Sequence, residues 1–144
     1  LTTGQIVTLT DRVRHMPVPQ GEDTPGFGHF LNSAYNIPIQ SLASDVTGSA
    51  IIDVEEALCN EYGISAVEMH KGLLSHEWPE MPLLINEVHD ELVFDVPPMV
   101  NQEQSTELIL EMMKSVPTLR RVCPAFTLEL GIEHLIAPTW GEKS

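Results

Sequence analysis

The 144-residue sequence is short of basic residues, of cysteine and of long apolar runs. Lysine and arginine number 7 against 21 acids, a formal net charge of −14, which argues against a general nucleic-acid binder because such proteins are basic. Two cysteines, Cys59 and Cys123, are too few for a disulfide scaffold and too far apart for a zinc site built on close pairs. No apolar run reaches about 18 residues, so no membrane span is expected, and no signal peptide is visible.

The sequence does hold enough apolar material for one folded domain. Hydrophobic residues make up 42% of the chain, which is ordinary for a globular core and too high for a disordered segment. The acids are concentrated in the middle, where residues 41–100 hold 12 of them against one base, Lys71. Such a concentration indicates either a solvated surface or a cation site, and the solvated surface is the commoner case.

The hydrophobic pattern predicts helices combined with strands, an α+β fold. Residues 1–16 are expected to form one extended segment, and residues 17–29 a loop. Apolar residues that recur every three or four positions predict a long helix over about 39–62. A second helix is expected over 101–115, with Asn101 as its cap.

Three more segments complete the predicted organisation. Two short apolar runs predict a β-hairpin over about 83–96. Strict alternation predicts a half-buried closing strand over 125–132, followed by a short tail with Trp140. Between the long helix and the hairpin, residues 63–81 are expected to be an excursion with one short helix.

Three ionisable residues, His89, Asp90 and Glu91, interrupt the apolar runs of the predicted hairpin. Carboxylates buried inside a sheet are costly without partners, whereas at a hairpin tip they project together into solvent. Adjacent carboxylates at such a tip can bind Mg²⁺, which takes a few carboxylate oxygens and keeps waters and substrate phosphates as its other ligands. The alternative is an ordinary polar turn, where Asp is common.

Two further stretches carry groups suited to nucleic acid. Asn36 and Gln40 are amides four residues apart at the start of the long helix, and both can donate and accept in a groove. The alternative is that Asn36 is a turn or cap residue and Gln40 faces solvent. Arg12 and Arg14 lie two apart on an extended chain, so they point to one side and can hold phosphates. In isolation, an arginine pair with no such role is the commoner case.

Taken together and in this order, the three stretches resemble family A (Pol I-like) DNA polymerases. Residues 4–17 are similar to the G-x-x-x-T-L-x-x-R-x-R segment of that family, and residues 34–45 to its A-[FY]-N-x-P-[IV]-Q-x-x-A-x-D helix start. Residues 84–93, with their V-H-D-E-L core, resemble its motif C. Residues 126–132 resemble its closing strand. The resemblance covers nearly the whole chain, with residues 60–82 as the exception.

The resemblance implies a polymerase palm and a two-metal reaction. Asp90 would be one of two metal-binding aspartates, Glu91 an accessory acid near the metal and the primer end, and His89 a contact to the primer terminus. With Mg²⁺ as the cofactor, the primer 3′-hydroxyl of a primer–template DNA would attack the α-phosphate of a deoxynucleoside triphosphate (dNTP), and pyrophosphate would leave.

The resemblance also implies contacts to the duplex. Asn36 and Gln40 would reach the minor groove, where they would bind the acceptors that every correct base pair presents and so sense mismatch geometry. Arg12 and Arg14 would lie near the template backbone.

Some features depart from the family pattern. Asn32 stands where an arginine is usual, and Glu87 where glutamine is frequent. Residues 62–80 look like an insertion relative to compact bacterial enzymes, which favours a phage or other viral source. The first metal-binding aspartate, the fingers and the thumb are expected upstream of Leu1. The chain is therefore expected to be the C-terminal part of a polymerase, inactive without the missing N-terminal portion, and at work in the cytoplasm, that of the host if it is viral.

Two other functions remain open at this point. His70, His76, the pair His89-Asp90 and Asp95 supply the residue types of an HD-type metal phosphohydrolase, but those sites usually sit on helices and this pair lies between β-type runs. A non-catalytic remnant or interaction module would keep the palm shape without activity.

Overall fold

The structure is a computed structural model that describes residues 4–77 and 79–139. Its elements, in chain order, are β1 (Gln5–Val7), β2 (Val13–His15), α1 (Phe27–Tyr62), α2 (Ala66–Ser75), β3 (Leu83–Val88), β4 (Glu91–Asp95), α3 (Gln102–Ser115) and α4 (Pro117–Val122). The fold is α+β, because β1–β2 and β3–β4 form two separate antiparallel hairpins that pack on helices. Trp140, assigned to the predicted tail, lies outside the described residues.

Helix α1 is the frame on which the other elements pack. It begins at Phe27, earlier than the predicted residue 39, and it continues through Pro38. Phe30 and Ala34 are buried and extend the apolar side of the helix toward its start. The helix ends at Tyr62, and Gly63 after it has a φ of 65°, the left-handed conformation that suits glycine at this position.

Two apolar clusters join the elements to α1. The first contains its C-terminal half together with α2, β3 and α3, through Val54, Leu58, Cys59, Met69, Met81, Leu83 and Ile109. The second contains α4 and the segment after it, through Ala50, Val116, Leu119, Cys123 and Phe126. Phe94 of β4 packs against the first cluster, while Leu92 packs against the second together with Leu42 and Val46 of α1. The β3–β4 hairpin therefore runs beside α1 with its tip toward the N-terminal half of that helix.

Residues 4–16 form a hairpin rather than one extended segment. β1 and β2 pair in antiparallel register, with Ile6 opposite Arg14. The chain reverses between them, where the Thr8 N–H donates to the Arg12 carbonyl at 2.9 Å and Asp11 adopts a φ of 60°. Asp is one of the few residues that tolerate this conformation. Because the reversal contains neither glycine nor proline, the sequence carries no strong turn signal there.

The predicted strand over 125–132 pairs with no other strand in the described part of the chain. Phe126 is buried but Leu128 is 62% exposed, so alternate residues do not share one covered face. Arg120 holds the segment instead. Its guanidinium donates to the carbonyls of Phe126 and Leu128 at 3.0 and 2.8 Å and lies 5.3 Å from the centre of the Phe126 ring.

Helix α4 is anchored by a buried carboxylate of α1. Asp53 is 4% exposed, and its two oxygens accept the backbone N–H of Thr118 at 3.2 and 3.1 Å. Pro117 opens α4, and Val116 before it provides no side-chain cap. Asp53 therefore supplies from a distance the acceptor that a helix start needs.

The remaining elements lie where apolar patterns predict them. β3 and β4 occupy the predicted hairpin, and α3 the predicted second helix, with Asn101 Oδ1 accepting the Gln104 N–H at 3.3 Å. The excursion contains α2, which Ser65 and Glu68 start with a reciprocal capping box. No helix among residues 4–77 and 79–139 is long and apolar enough to cross a bilayer.

Candidate functional site

The β3–β4 hairpin turns through two residues, His89 and Asp90. Val88 stands opposite Glu91 in the register, so these two alone form the connection. His89 has a φ of 59°, a left-handed conformation that costs a non-glycine residue roughly 1–2 kcal/mol. Such strained residues concentrate at functional sites.

A β-bulge precedes this tip. Leu84 pairs with Phe94 but Asn86 pairs with Val93, so β3 carries one extra residue, Ile85. Bulges bend and twist a strand and re-aim the side chains beyond them. In consequence Ile85, although apolar, is 51% exposed.

The polar groups at the tip face solvent. His89, Asp90 and Glu91 are all exposed. Within the described residues, neither His89 nor Asp90 takes part in a hydrogen bond or an ion pair. The Asp90 carboxylate is therefore available to an external cation. Asp90 and Glu91 are adjacent in the chain, one in the turn and one at the first position of β4.

On α1, Asn36 and Gln40 lie one turn apart and are both exposed. Residues spaced by four lie on the same face of a helix, so the two amides form one polar surface. Pro38 sits between them inside the helix. Because proline has no N–H, the carbonyl of Ala34 loses its usual helical partner here.

The β1–β2 reversal docks on the next turn of α1 through four residues, Thr10, Arg12, Ser41 and Asp45, which we call the docking cluster. Thr10 Oγ1 donates to Asp45 Oδ2 at 2.5 Å, and Arg12 Nη2 lies 2.6 Å from Asp45 Oδ1. Arg12 Nη2 also donates to the Ser41 carbonyl at 2.9 Å. Both oxygens of Asp45 are thus used.

The two predicted phosphate ligands differ in their surroundings. Arg12 is partly covered, and its Nε is buried with no hydrogen-bond partner in the described residues. Arg14 lies on β2, is exposed, and forms no side-chain hydrogen bond or ion pair in that same part of the chain. Arg14 is therefore the freer of the two for an external anion.

The fold joins one of the other two predicted stretches to α1 directly and directs the tip of the second toward the N-terminal half of that helix. The docking cluster joins Arg12 to the turn after Gln40. Leu92, just after the hairpin tip, packs in the same cluster as Leu42 and Val46. Residues 4–77 and 79–139 contain no group of three His, Cys, Asp or Glu side chains placed to hold a metal, so any metal at the tip needs ligands from elsewhere.

His70 and His76, the histidines of the phosphohydrolase alternative, belong to the excursion. His70 Nε2 lies 4.0 Å from Glu55 Oε1, on the C-terminal half of α1. His76 ends α2 with a φ of 60°. Among the described residues neither joins a metal-binding group with Asp90.

Sequence reasoning missed the structural partner of Arg12. Asp45 is the last position of the 34–45 motif, yet no role followed from the motif alone. Its contacts span 35 residues to Thr10, and no local pattern encodes such a pair. The available signal was Asp45, an acid among apolar positions of the predicted helix, together with Thr10 and Arg12, which can both donate to a carboxylate.

A family model for DNA polymerase family A matches residues 1–142. The chain belongs to this family. It is also 26% identical over 137 residues to DNA polymerase I of Geobacillus stearothermophilus. That match covers 95% of this chain but only 13% of the length of that protein. No solved structure gives a significant match.

Membership of family A gives the three stretches a common context. The matched range spans the motifs on both sides of the excursion between α1 and β3. The roles of individual residues require a further argument from their geometry.

Proposed function

We propose that this chain is the C-terminal part of a polymerase palm and takes part in template-directed nucleotidyl transfer. The observation that carries the proposal is the β3–β4 tip, where a strained His89 presents an exposed Asp90 that the described residues leave without a partner. In a family A polymerase, such a carboxylate fits a metal ligand beside the primer end.

The residues at the tip fit part of a Mg²⁺ site. Mg²⁺ is bound in proteins through one or two carboxylates, with waters and substrate phosphates completing its octahedron. Asp90 and Glu91 provide the carboxylates, and the second aspartate would come from the missing N-terminal portion. When bound, a pair of such ions stabilises charge on the attacking and leaving oxygens of the transfer.

The chain's own residues then divide the remaining tasks. Asp90 holds the metal, Glu91 keeps a second negative charge beside it, and His89 contacts the primer terminus. None of these residues would have to act as a strong base, because bound metal ions would supply that activation.

The face of α1 would read the shape of the new base pair. Asn36 and Gln40 are exposed on one face, so both amides can reach minor-groove acceptors. Arg14 is the better placed arginine for the template backbone, since the guanidinium of Arg12 is already bound to Asp45.

The net charge of −14 agrees with this division of labour. Binding of primer–template DNA depends on basic surfaces, and these would lie mainly on the N-terminal portion, the proposed partner of this chain. Residues 62–80 would be an insertion away from the metal, which agrees with the packing of Met69 in the first apolar cluster. The proposal includes a cytoplasmic place of action and a phage or other viral source.

A primer-extension experiment tests the proposal. The purified chain is assayed with primer–template DNA, dNTPs and Mg²⁺, alone and after it is combined with the N-terminal portion encoded upstream. We expect no extension by the chain alone and extension by the combination, because two-metal transfer needs ligands from both parts. Extension by the chain alone, or none by a folded combination, would refute the proposal.

A further inference from the structure

The docking cluster sits immediately beside the proposed minor-groove face. Ser41 follows Gln40 directly in α1, and its carbonyl accepts a hydrogen bond from Arg12 at 2.9 Å. Asp45 lies one turn further along and is held by Thr10 and Arg12 together. The β1–β2 reversal is thus fixed to the turn of α1 that starts at Gln40.

The turn of α1 just before the docking cluster contains a proline, which weakens the helix there. Pro38 lies between Asn36 and Gln40, has no N–H to donate to the Ala34 carbonyl, and its ring pushes against that carbonyl. Helices bend and kink at such positions. The stretch of α1 that carries Gln40, Ser41 and Asp45 follows this weak point, and the docking cluster fixes it against the β1–β2 reversal.

The arrangement of the docking cluster costs free energy, because it leaves one buried donor unsatisfied. Arg12 Nε is buried without a partner in the described residues, and an unsatisfied buried donor destabilises a fold. The pairing of Arg12 with both Asp45 and Ser41 keeps this arrangement in place. A cluster serving stability alone would gain by satisfying Nε or by excluding Arg12.

We infer that Asp45, with Thr10 and Arg12, is a positioning residue that fixes the turn of α1 carrying Gln40 and so sets discrimination against mismatched primer ends. This inference rests on the proposed function of Gln40. Asp45 acts through the helix and touches no reacting atom. The template backbone would still be contacted by Arg14.

The first test compares Asp45→Asn with the unchanged polymerase, made of this chain and its N-terminal portion. Asn keeps the size and the acceptor for Thr10 but removes the charge that holds Arg12. We expect the ratio of kcat/KM for matched over mismatched primer ends to fall about fivefold, within the range of couplings between neighbouring groups. Glu56→Gln is the matched control, since Glu56 is an exposed acid of the same helix with no ion pair in the described residues.

A double-mutant cycle separates positioning from general damage. In the Gln40→Ala background, Asp45→Asn should cause no further loss of discrimination, because the group it positions is absent. A merely structural role would instead give independent losses that add. If Asp45→Asn does not fold, Thr10→Val replaces it, since this change removes one of the two contacts that fix the carboxylate.

The outcomes distinguish the two proposals. If Gln40→Ala alone leaves discrimination unchanged, the assignment of Gln40 fails and the inference falls with it. If Gln40→Ala lowers discrimination but Asp45→Asn does not, or if the two losses add, the positioning role is overturned while the proposed function stands. A loss with Glu56→Gln equal to that with Asp45→Asn would assign the effect to net charge and also overturn the inference.

Discussion

Both hairpins of this chain reverse direction through a residue with a left-handed backbone, Asp11 with a φ of 60° and His89 with a φ of 59°. The polar side chains that flank Asp11 are bound to α1 through the docking cluster. The polar side chains at the β3–β4 tip are exposed, and Asp90 has no hydrogen bond or ion pair in the described part of the chain. Two turns with similar backbones therefore differ in their polar side chains, which are bound to α1 at the first turn and exposed at the second.

This difference separates structure from chemistry. In the β1–β2 reversal, hydrogen bonds to a partly covered carboxylate stabilise the tertiary fold, so these polar residues act through the position that they give to α1. At the β3–β4 tip the left-handed His89 costs free energy, and neither its side chain nor that of Asp90 forms a hydrogen bond or ion pair in the described residues. The metal and primer binding that we propose would account for the exposed polar groups of the second tip.

The largest expected difference between the two tips is in catalysis. Asp90→Asn in the complete polymerase keeps the shape of the turn and removes one charge from the proposed metal ligand. A loss of ~4 kcal/mol of transition-state stabilisation would slow single-turnover incorporation about a thousandfold. DNA affinity, measured in parallel, should change little because it depends mainly on backbone contacts elsewhere.

Asp11→Asn is the matched control, since it makes the same change at the other tip. Asn also tolerates a left-handed backbone, and Asp11 has no proposed role in the reaction, so incorporation should stay near normal. Near-normal incorporation by Asp90→Asn, or an equal loss with Asp11→Asn, would contradict the assignment of Asp90 as a metal ligand.

The second prediction concerns the free energy of unfolding. A substitution at the β1–β2 reversal should lower it more than one at the β3–β4 tip. Thr10→Ala removes a hydrogen bond to a carboxylate, which contributes roughly 1 kcal/mol to the free energy of unfolding at a partly exposed site. Asp90→Ala should change that free energy by less than about 0.5 kcal/mol, as expected of exposed residues without partners. Urea unfolding of the two variants measures both. A larger loss for Asp90→Ala would show that the fold does use the second tip.

The third prediction concerns substitutions by glycine, which relieve the backbone strain at the two tips. His89→Gly should raise the free energy of unfolding by about 0.5 kcal/mol, because glycine adopts a positive φ freely but gains entropy in the unfolded chain. Asp11→Gly should be close to neutral, since Asp tolerates this conformation better. In the complete polymerase, His89→Gly should at the same time slow incorporation through the lost primer contact. Increased stability with unchanged incorporation would remove His89 from the proposed site.

The contrast between the hairpins also shows what the sequence could predict. Leu92 and Phe94 belong to a short apolar run, so the second hairpin followed from a local pattern. The reversal at Asp11 contains no glycine or proline, and the pattern of residues 1–16 indicated one continuous segment instead. The early start of α1 at Phe27 was hidden by the glycines and prolines before it and by Pro38 within it.

The candidate site was predictable in its residue types but not in its arrangement. Asp90, Asn36 and Arg12 each stood out because polar groups interrupted or flanked apolar runs. The position of Arg12 against α1 depends on a contact from Asp45 to a distant reversal, and the direction of the β3–β4 hairpin depends on the packing of Leu92 in the second cluster. Such long-range contacts depend on the tertiary fold, so no local periodicity reports them.

The smallest expected effect extends the comparison to a polar pair that is both local and exposed, the capping box of α2. The Ser65 hydroxyl and N–H donate to Glu68 Oε2 at 2.7 and 3.0 Å. These two hydrogen bonds hold the pKa of Glu68 below its usual 4.5, and the bond from the hydroxyl has the larger effect. A carboxylate with a lowered pKa stabilises the folded state above its unfolded pKa, and this stabilisation is lost as the pH falls through the folded value. We therefore expect the amide protection of the first turn of α2 to weaken as the pH drops below 4.5.

Ser65→Ala should raise the pKa of Glu68, measured by carboxyl-carbon NMR, and remove this dependence. Ser75→Ala, at the other end of the helix, loses only bonds to the carbonyls of Lys71 and Gly72 and should leave the titration of Glu68 unchanged. An unshifted Glu68 titration in Ser65→Ala would show that the local pair, unlike the docking cluster, does not persist in solution.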